Sequence, residues 1–276
     1  MEYQLDFLSD VLAIAKQAGQ TLAGHFYSAF SPSITIKSDK SPVTQADIAA
    51  NKIITEGLQK ITPDIPVLSE ENTIPGFDTR QTWEKYWLID PLDGTRGFIN
   101  KSREFCVCIA LIENHRPVFG VLYSPFDDCI FYAIQNKGAW KRSLIDHSEV
   151  QLLTEKYNGQ RLRILCGHSH RNPEIRKLLS QSFSNVTLTA LNSALKFSVI
   201  AGGFADLYIR FGPTSEWDTA AGQCIVTEAG GAVVDFQGNP LQYNVKSSVI
   251  NPAFLAVADV SRVEQYLPIV NSRKFI

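Results

Sequence analysis

The stretch "WLIDPLDGTRGFIN", Trp87 to Asn100, decides how this chain is read. An apolar run, Trp87-Leu88-Ile89, ends in Asp90. Asp93 follows, with Pro91 between the two acids and Gly94-Thr95 just after. The run reads as a buried strand. Two carboxylates at its end repel each other or raise each other's pKa, so either something offsets their charge or the segment is only a turn. Taken alone, "PLDG" is a good turn, because Asp-Gly favours left-handed backbone.

Working outward, the flanks alternate in type. Leu5, Leu8, Leu12, Ala15, Leu22 and Phe26 fall on one helical face, and "SPVTQADIAANKIITEGLQKI" predicts a second helix opened by Pro42 and Thr44. "VLSEE" is a short strand ending in acids, and residues 72–82 read as a loop. Then come strands "YWLID", "EFCVCIALIEN", "PVFGVLYSP" and "CIFYAIQ", separated by turn-like "ENHRP", "SPFDD" and "NKGAW". The chain turns polar around Val150–Gln160, which suggests an N-terminal lobe over residues 1–155 and a C-terminal lobe over 156–276. In the second lobe, strands "RLRILCG", "NVTLTAL", "ADLYIRF", "AVVDF" and "AFLAVAD" alternate with helices "NPEIRKLLSQSF", "SALKFSVIAGG" and "EWDTAAGQCIVTEAGG". The expectation is an α/β (α+β) protein whose first half holds two helices and a largely antiparallel sheet.

Composition excludes several classes of function. The 276 residues are 45% hydrophobic and 20% charged, with a net charge of −2, which is ordinary for a globular protein and gives no basic field for a nucleic-acid polymer. No apolar run approaches a membrane span, and "MEYQLDFLSD" lacks the basic start of a signal peptide. The five cysteines are odd in number and form no CxxC, so a reducing cytoplasm is the simplest reading. Cys106 and Cys108 share one face of an apolar strand and read as core rather than redox groups.

Acids mark three junctions: Glu70-Glu71 after "VLS", Asp90 and Asp93 around "PL", and Asp218 in "EWDTAAG". Each has an ordinary alternative: a solvated strand end, a turn, a helix N-cap. Together they would suit Mg²⁺, a hard cation that takes oxygen ligands. Paired ions about 3.5–4 Å apart clamp a phosphoryl displacement. The Leu92 carbonyl could add an oxygen.

These residues carry a resemblance. "DPLDGT" with "WDTAAGQCIVTEAGG", preceded by "SPVTQAD" and "LSEE", resembles the inositol monophosphatase superfamily of Mg²⁺-dependent, lithium-sensitive phosphatases, over roughly Ala13 to Ala258. Within it, "PDIPVLSEEN" and "SALKFSVIAGGFADLYIRFGPTSEWDTAAG" are most similar to CysQ-type 3'(2'),5'-bisphosphate nucleotidases. One departure is visible: Arg96-Gly97 stand where such enzymes often carry Lys-Glu, keeping the cation and losing the acid.

The resemblance implies a layered αβαβα sandwich of the inositol monophosphatase and fructose bisphosphatase type. It implies that Glu70, Asp90, Asp93 and Asp218, with the Leu92 carbonyl, hold two to three Mg²⁺, and that Asp47 and Thr95 orient and deprotonate the attacking water. From the residues alone, Asp47 is a capping-box partner of Thr44 and Thr95 an N-cap. It places Glu70, Leu92, Asp93, Gly94, Thr95 and Asp218 at the departing phosphate, and His170, Ser193, Lys196 and Arg210 near the nucleotide. On physics alone Lys196 is a solvated helix charge and Arg210 a strand-end charge, although a cation pair also suits a second phosphate. The HxH of "GHSHRN" does not read as zinc, because the other candidate ligands are carboxylates. The implied reaction is hydrolysis of 3'-phosphoadenosine 5'-phosphate to AMP and phosphate, clearing a by-product of sulfate activation. Alternatives are a sugar-phosphate or inositol monophosphate phosphatase of the superfamily and, in a different class, a silent phosphate- or metal-binding regulator. A cytoplasmic monomer or homodimer is expected, with peripheral attachment to the inner membrane's cytoplasmic face as a further option.

Overall fold

A computed structural model describes residues 7–28, 34–36, 42–168 and 183–272. Its first sheet has seven strands in sequence order: Val67–Ser69, Lys85–Asp93, Cys106–Glu113, Arg116–Ser124, Cys129–Ile134, Gly138–Ser143 and Glu149–Leu152. Only the first pair is parallel; the rest are antiparallel. The "ENHRP" turn is a tight hairpin, with Asn114 and His115 both left-handed at φ 48° and 64°, as the twist of two-residue hairpins demands.

Alternation within each strand builds the layers. Trp87 and Ile89 face one side of the sheet, where the helices Leu8–Tyr27 and Gln45–Ile61 pack through Val11, Leu12, Ala50 and Ile54. Tyr86 and Leu88 face the other side, against the helices Leu195–Ala201 and Ala220–Glu228. Burial on both faces is why "YWLI" is a continuous apolar run rather than an alternating one. Gly120 lets the Arg116–Ser124 strand approach the second of these helices: a Cβ there would meet the Ala221 carbonyl at 2.6 Å.

The same two helices cover a second, five-stranded sheet, ordered Val186–Ala190, Leu162–Cys166, Leu207–Arg210, Phe254–Val257, Ala232–Asp235. Its far face carries Leu162, Ile164, Leu207 and Ile209, covered by Tyr266 and Val270 of the Val263–Asn271 helix. Helices, sheet, helices, sheet and helix make the expected αβαβα sandwich.

Three local readings differ from the structure. "NKGAW" runs into the Gly138–Ser143 strand, and the polar stretch near Val150 begins as the Glu149–Leu152 strand. That strand is the sheet's edge, so most of it stays exposed and reads as loop. Within the supposed 72–82 loop lies a one-turn helix, Phe77–Arg80, whose Arg80 is only 1% exposed. The helix Val263–Asn271 escapes a pattern search because Pro268 interrupts it. Leu5, His170 and most of the "NPEIRKLLSQSF" helix lie outside the described residues.

Candidate active site

Strand pairing brings the acids together. The parallel register Ser69↔Ile89 makes Glu70 and Asp90 the next residues of neighbouring strands, and the Glu70 N–H donates to the Ile89 carbonyl at 3.2 Å. Asp90 lies opposite Cys108 and Asp93 opposite Cys106, with the register broken between them, so Pro91 and Leu92 form a bulge that carries both carboxylates. The Leu92 N–H donates to Asp90 Oδ1 at 2.9 Å. Gly94 ends the turn at φ 101°, where a Cβ would lie 2.9 Å from the Glu104 carbonyl, so only glycine fits. From the other half, Asp218 closes a 3₁₀ turn, Glu216–Asp218, and its Oδ2 accepts the Ser215 N–H at 3.0 Å.

One oxygen from each of Glu70, Asp90 and Asp218 lies within 4.8 Å of the others. Burial, then the charges of Glu70, Asp93 and Asp218, push Asp90 well above the usual carboxylate range, and what opposes them is the Leu92 N–H. Asp218 is raised the same way, by burial and then by Asp93 and Glu70. Asp93 is raised by burial but faces Lys196, the Ala194 N–H and Arg210, which pull it back. A hard divalent cation fits this oxygen set, since it supplies the positive charge that Asp90 lacks.

Asp47 serves two groups. Its Oδ2 accepts the Thr44 N–H at 2.8 Å and the Thr44 hydroxyl at 2.6 Å, completing a capping box on the Gln45–Ile61 helix. Its Oδ1 lies 3.3 Å from Thr95 Oγ1, which is also 3.1 Å from the Leu92 carbonyl. The helix cap and the contact with Thr95 therefore coexist in one carboxylate that is 1% exposed.

A cleft of about 100 Å³ opens beside the acids, lined by Asp93, Asp218, Ser193, Lys196, Tyr208 and Arg210 among others. Lys196 is not a solvated helix charge. It is 5% exposed, its Nζ donates to the Leu191 and Ser193 carbonyls at 3.2 and 2.5 Å, and it lies 5.0 Å over the Tyr208 ring. Burial pulls its pKa down to about 8, with Asp93 resisting. Arg210 donates to the Pro213 carbonyl at 2.8 Å, and its Nε is buried with no hydrogen-bond partner. Ser193 adopts left-handed backbone at φ 57°.

Sequence reasoning missed two groups here. Tyr208 stands two residues before Arg210 and so shares its face, a period-2 signal that was available. Glu104 carried no such signal. Its Oε2 accepts the Asn192 N–H at 2.9 Å and pairs with His168 Nε2 at 2.8 Å, tying down the loop that leads to Ser193.

The chain as a whole is similar to known proteins. A model of the inositol monophosphatase family matches residues 7–267. The 3'(2'),5'-bisphosphate nucleotidase CysQ of Escherichia coli (strain K12) is 41% identical over 247 residues, 90% of this chain and 98% of that protein. Its counterpart in Salmonella typhimurium is 44% identical over the same shares. The crystal structure of CysQ from Bacteroides thetaiotaomicron, described as a bacterial member of the inositol monophosphatase family, superposes with a TM-score of 0.78 at 34% identity, covering 92% of this chain and 99% of that one.

Proposed function

Because this chain belongs to the inositol monophosphatase family, we propose that it works as a 3'(2'),5'-bisphosphate nucleotidase, a phosphatase that hydrolyses 3'-phosphoadenosine 5'-phosphate to AMP and inorganic phosphate. The observation that carries this reading is a single cleft lined both by the acids Asp93 and Asp218 and by the cations Lys196 and Arg210. A bisphosphate has one phosphate to lose and another to be held at a distance. A monophosphate gives the cations nothing to hold.

Glu70, Asp90, Asp93 and Asp218, with the Leu92 carbonyl, are the assigned holders of two to three Mg²⁺, which when bound neutralise these acids and make water a better nucleophile. Asp47 and Thr95 move the proton. Thr95 Oγ1 accepts a proton from the attacking water while passing its own to Asp47 Oδ1, 3.3 Å away. The new oxygen–phosphorus bond forms as the bond to the nucleotide's 3'-oxygen breaks. That oxygen takes a proton from solvent, and Asp47 gives its own back to solvent through Thr95, which restores the enzyme. The departing phosphate rests against the Asp93–Thr95 turn, with Gly94 leaving the backbone bare. Lys196 and Arg210 grip the second phosphate, and Ser193 also lines the cleft. No helix among the described residues is long and apolar enough to cross a membrane. The five buried cysteines suit a reducing cytoplasm.

The test is phosphate release from 3'-phosphoadenosine 5'-phosphate, inositol 1-phosphate and fructose 1,6-bisphosphate, each with and without Mg²⁺. Preference for the nucleotide, with activity lost in chelator and restored by Mg²⁺, is expected. Preference for either sugar phosphate would overturn the substrate assignment, and full activity in metal-free buffer would overturn the cation assignment.

A further inference from the structure

We propose that Asp93, Cys106 and Cys108 form a second metal site, one that takes a thiophilic divalent cation such as Zn²⁺ or Cd²⁺, and that such a cation switches the enzyme off. Strand alternation puts the two cysteines on one face of the Cys106–Glu113 strand, and the register Asp93↔Cys106 sets the carboxylate beside them. Their sulfurs are 3.8 Å apart. A tetrahedral zinc centre with Zn–S bonds of ~2.3 Å has a sulfur–sulfur edge of ~3.8 Å, so this pair already stands at the separation a shared cation needs. One oxygen of Asp93 and both sulfurs lie within 4.8 Å of one another.

Softness separates this site from the oxygen cluster next to it. Thiolates select zinc and its heavier relatives, whereas Mg²⁺ takes oxygen and leaves sulfur alone. The thiols are 0% and 1% exposed, so access runs through Asp93, which lines the cleft. Coordination replaces two S–H protons, which leave to solvent by the same route. Two protein thiolates and one carboxylate leave a fourth position for water. The cost to the enzyme falls on Asp93. An Asp93 oxygen bound beside the sulfurs is one oxygen fewer for the Mg²⁺ that the phosphatase reading above assigns to Asp93 together with Glu70, Asp90 and Asp218.

The experiment titrates the metal-free full chain with Cd²⁺ and follows the ultraviolet thiolate-to-cadmium charge-transfer band, which needs no activity. The wild type is expected to develop the band at one equivalent, and Cys106→Ser and Cys108→Ser each to lose the one-equivalent transition. A band that survives in both variants comes from Cys129, Cys166 or Cys224 and overturns the proposal. Should the variants fold poorly, anomalous scattering from a Cd²⁺-soaked wild-type crystal decides instead. A peak bridging both sulfurs supports the site, and a peak confined to Glu70, Asp90 and Asp218 overturns it. Zn²⁺ inhibition against saturating Mg²⁺ tests the switch, and it should require higher Zn²⁺ in each Ser variant. Equal inhibition of wild type and variants would place the inhibitory ion among the carboxylates and refute the switch. A band on a chain without any phosphatase activity would leave the site standing and remove the assigned reaction instead.

Discussion

Asp47 and Thr95, 48 residues apart in the chain, meet at 3.3 Å through Asp47 Oδ1, while Asp47 Oδ2 caps its own helix through Thr44. The helix cap fixes the carboxylate's rotation, and the fixed carboxylate is what Thr95 finds. Helix stability and proton transfer are thus assigned to different atoms of one side chain and can be separated.

Asp47→Asn should separate them. Oδ2 receives two donors, the Thr44 N–H and hydroxyl, so the amide oxygen takes that place and the NH₂ group turns toward Thr95. The cap survives and the acceptor for the Thr95 proton is lost. Turnover should fall by roughly 10²–10⁴-fold, the usual weight of general-base catalysis, with little change in Tm. Asp47→Ala should lose activity to the same degree and also about 1 kcal/mol of stability. Thr95→Ser should retain the relay and Thr95→Val should not. An Asp47→Asn enzyme with near-normal kcat would refute the role.

Asp93→Asn should be inactive yet at least as stable as wild type in chelator. Asp93 is the leading charge that raises Asp218, so an amide relieves a repulsion that the Ser215 N–H and Arg210 offset only in part. Mg²⁺ at a hundredfold its Kd should stabilise wild type by about 2.7 kcal/mol and the variant by much less. Thermal melts with and without Mg²⁺ read this directly. Equal Mg²⁺ stabilisation of both proteins would remove Asp93 from the cation site.

Arg210→Ala should discriminate between substrates. Its guanidinium donates to the Pro213 carbonyl and faces Asp93 and Asp218, while its Nε is buried without a hydrogen-bond partner, so a phosphate in the cleft would find a donor still open. Losing a charge-assisted hydrogen bond costs about 1.5–3 kcal/mol, so KM for the bisphosphate should rise roughly 10–100-fold if the loss is uniform binding. A monophosphate substrate should be nearly unaffected. Equal losses on both substrates would mean that Arg210 supports the fold instead.

Lys196 should give the bisphosphate a pH dependence that the monophosphate lacks. Burial depresses its pKa to about 8, so the free enzyme loses this positive charge as pH rises through that value. The ratio of kcat/KM for bisphosphate over monophosphate should fall as pH rises above about 8, with ionisations common to both substrates cancelling in the ratio. Lys196→Met should lower the ratio below about pH 8 and abolish the fall. A ratio that keeps its fall in Lys196→Met would assign the titration to another group.

Much of this molecule was legible in the chain because local rules govern it. Trp87-Leu88-Ile89 had to be a strand buried on both faces, Gly94 had to leave a turn, Thr44 had to cap a helix, and the "ENHRP" hairpin followed from residues that tolerate left-handed backbone. The acidic residue types at strand ends, and the family resemblance built on them, pointed to a cation and a phosphate. Edge strands such as Glu149–Leu152 were harder to see, because a strand with one neighbour has little to bury and so shows no pattern.

Contacts between distant segments, and the charge states that depend on them, came only with the folded chain. Periodicity assigns a residue to a face of its own element but is silent on which other element lies across from it. The Ser69↔Ile89 register makes Glu70 and Asp90 neighbours, and Asp93↔Cys106 sets a carboxylate beside two thiols. Lys196 reads as a solvent charge in its own helix and becomes a desolvated one once the second sheet brings Tyr208 against it. Burial is set by everything packed around a group, so the chemistry of Asp90, Asp218 and Lys196 belongs to the assembled sandwich, while their identity and order belong to the chain.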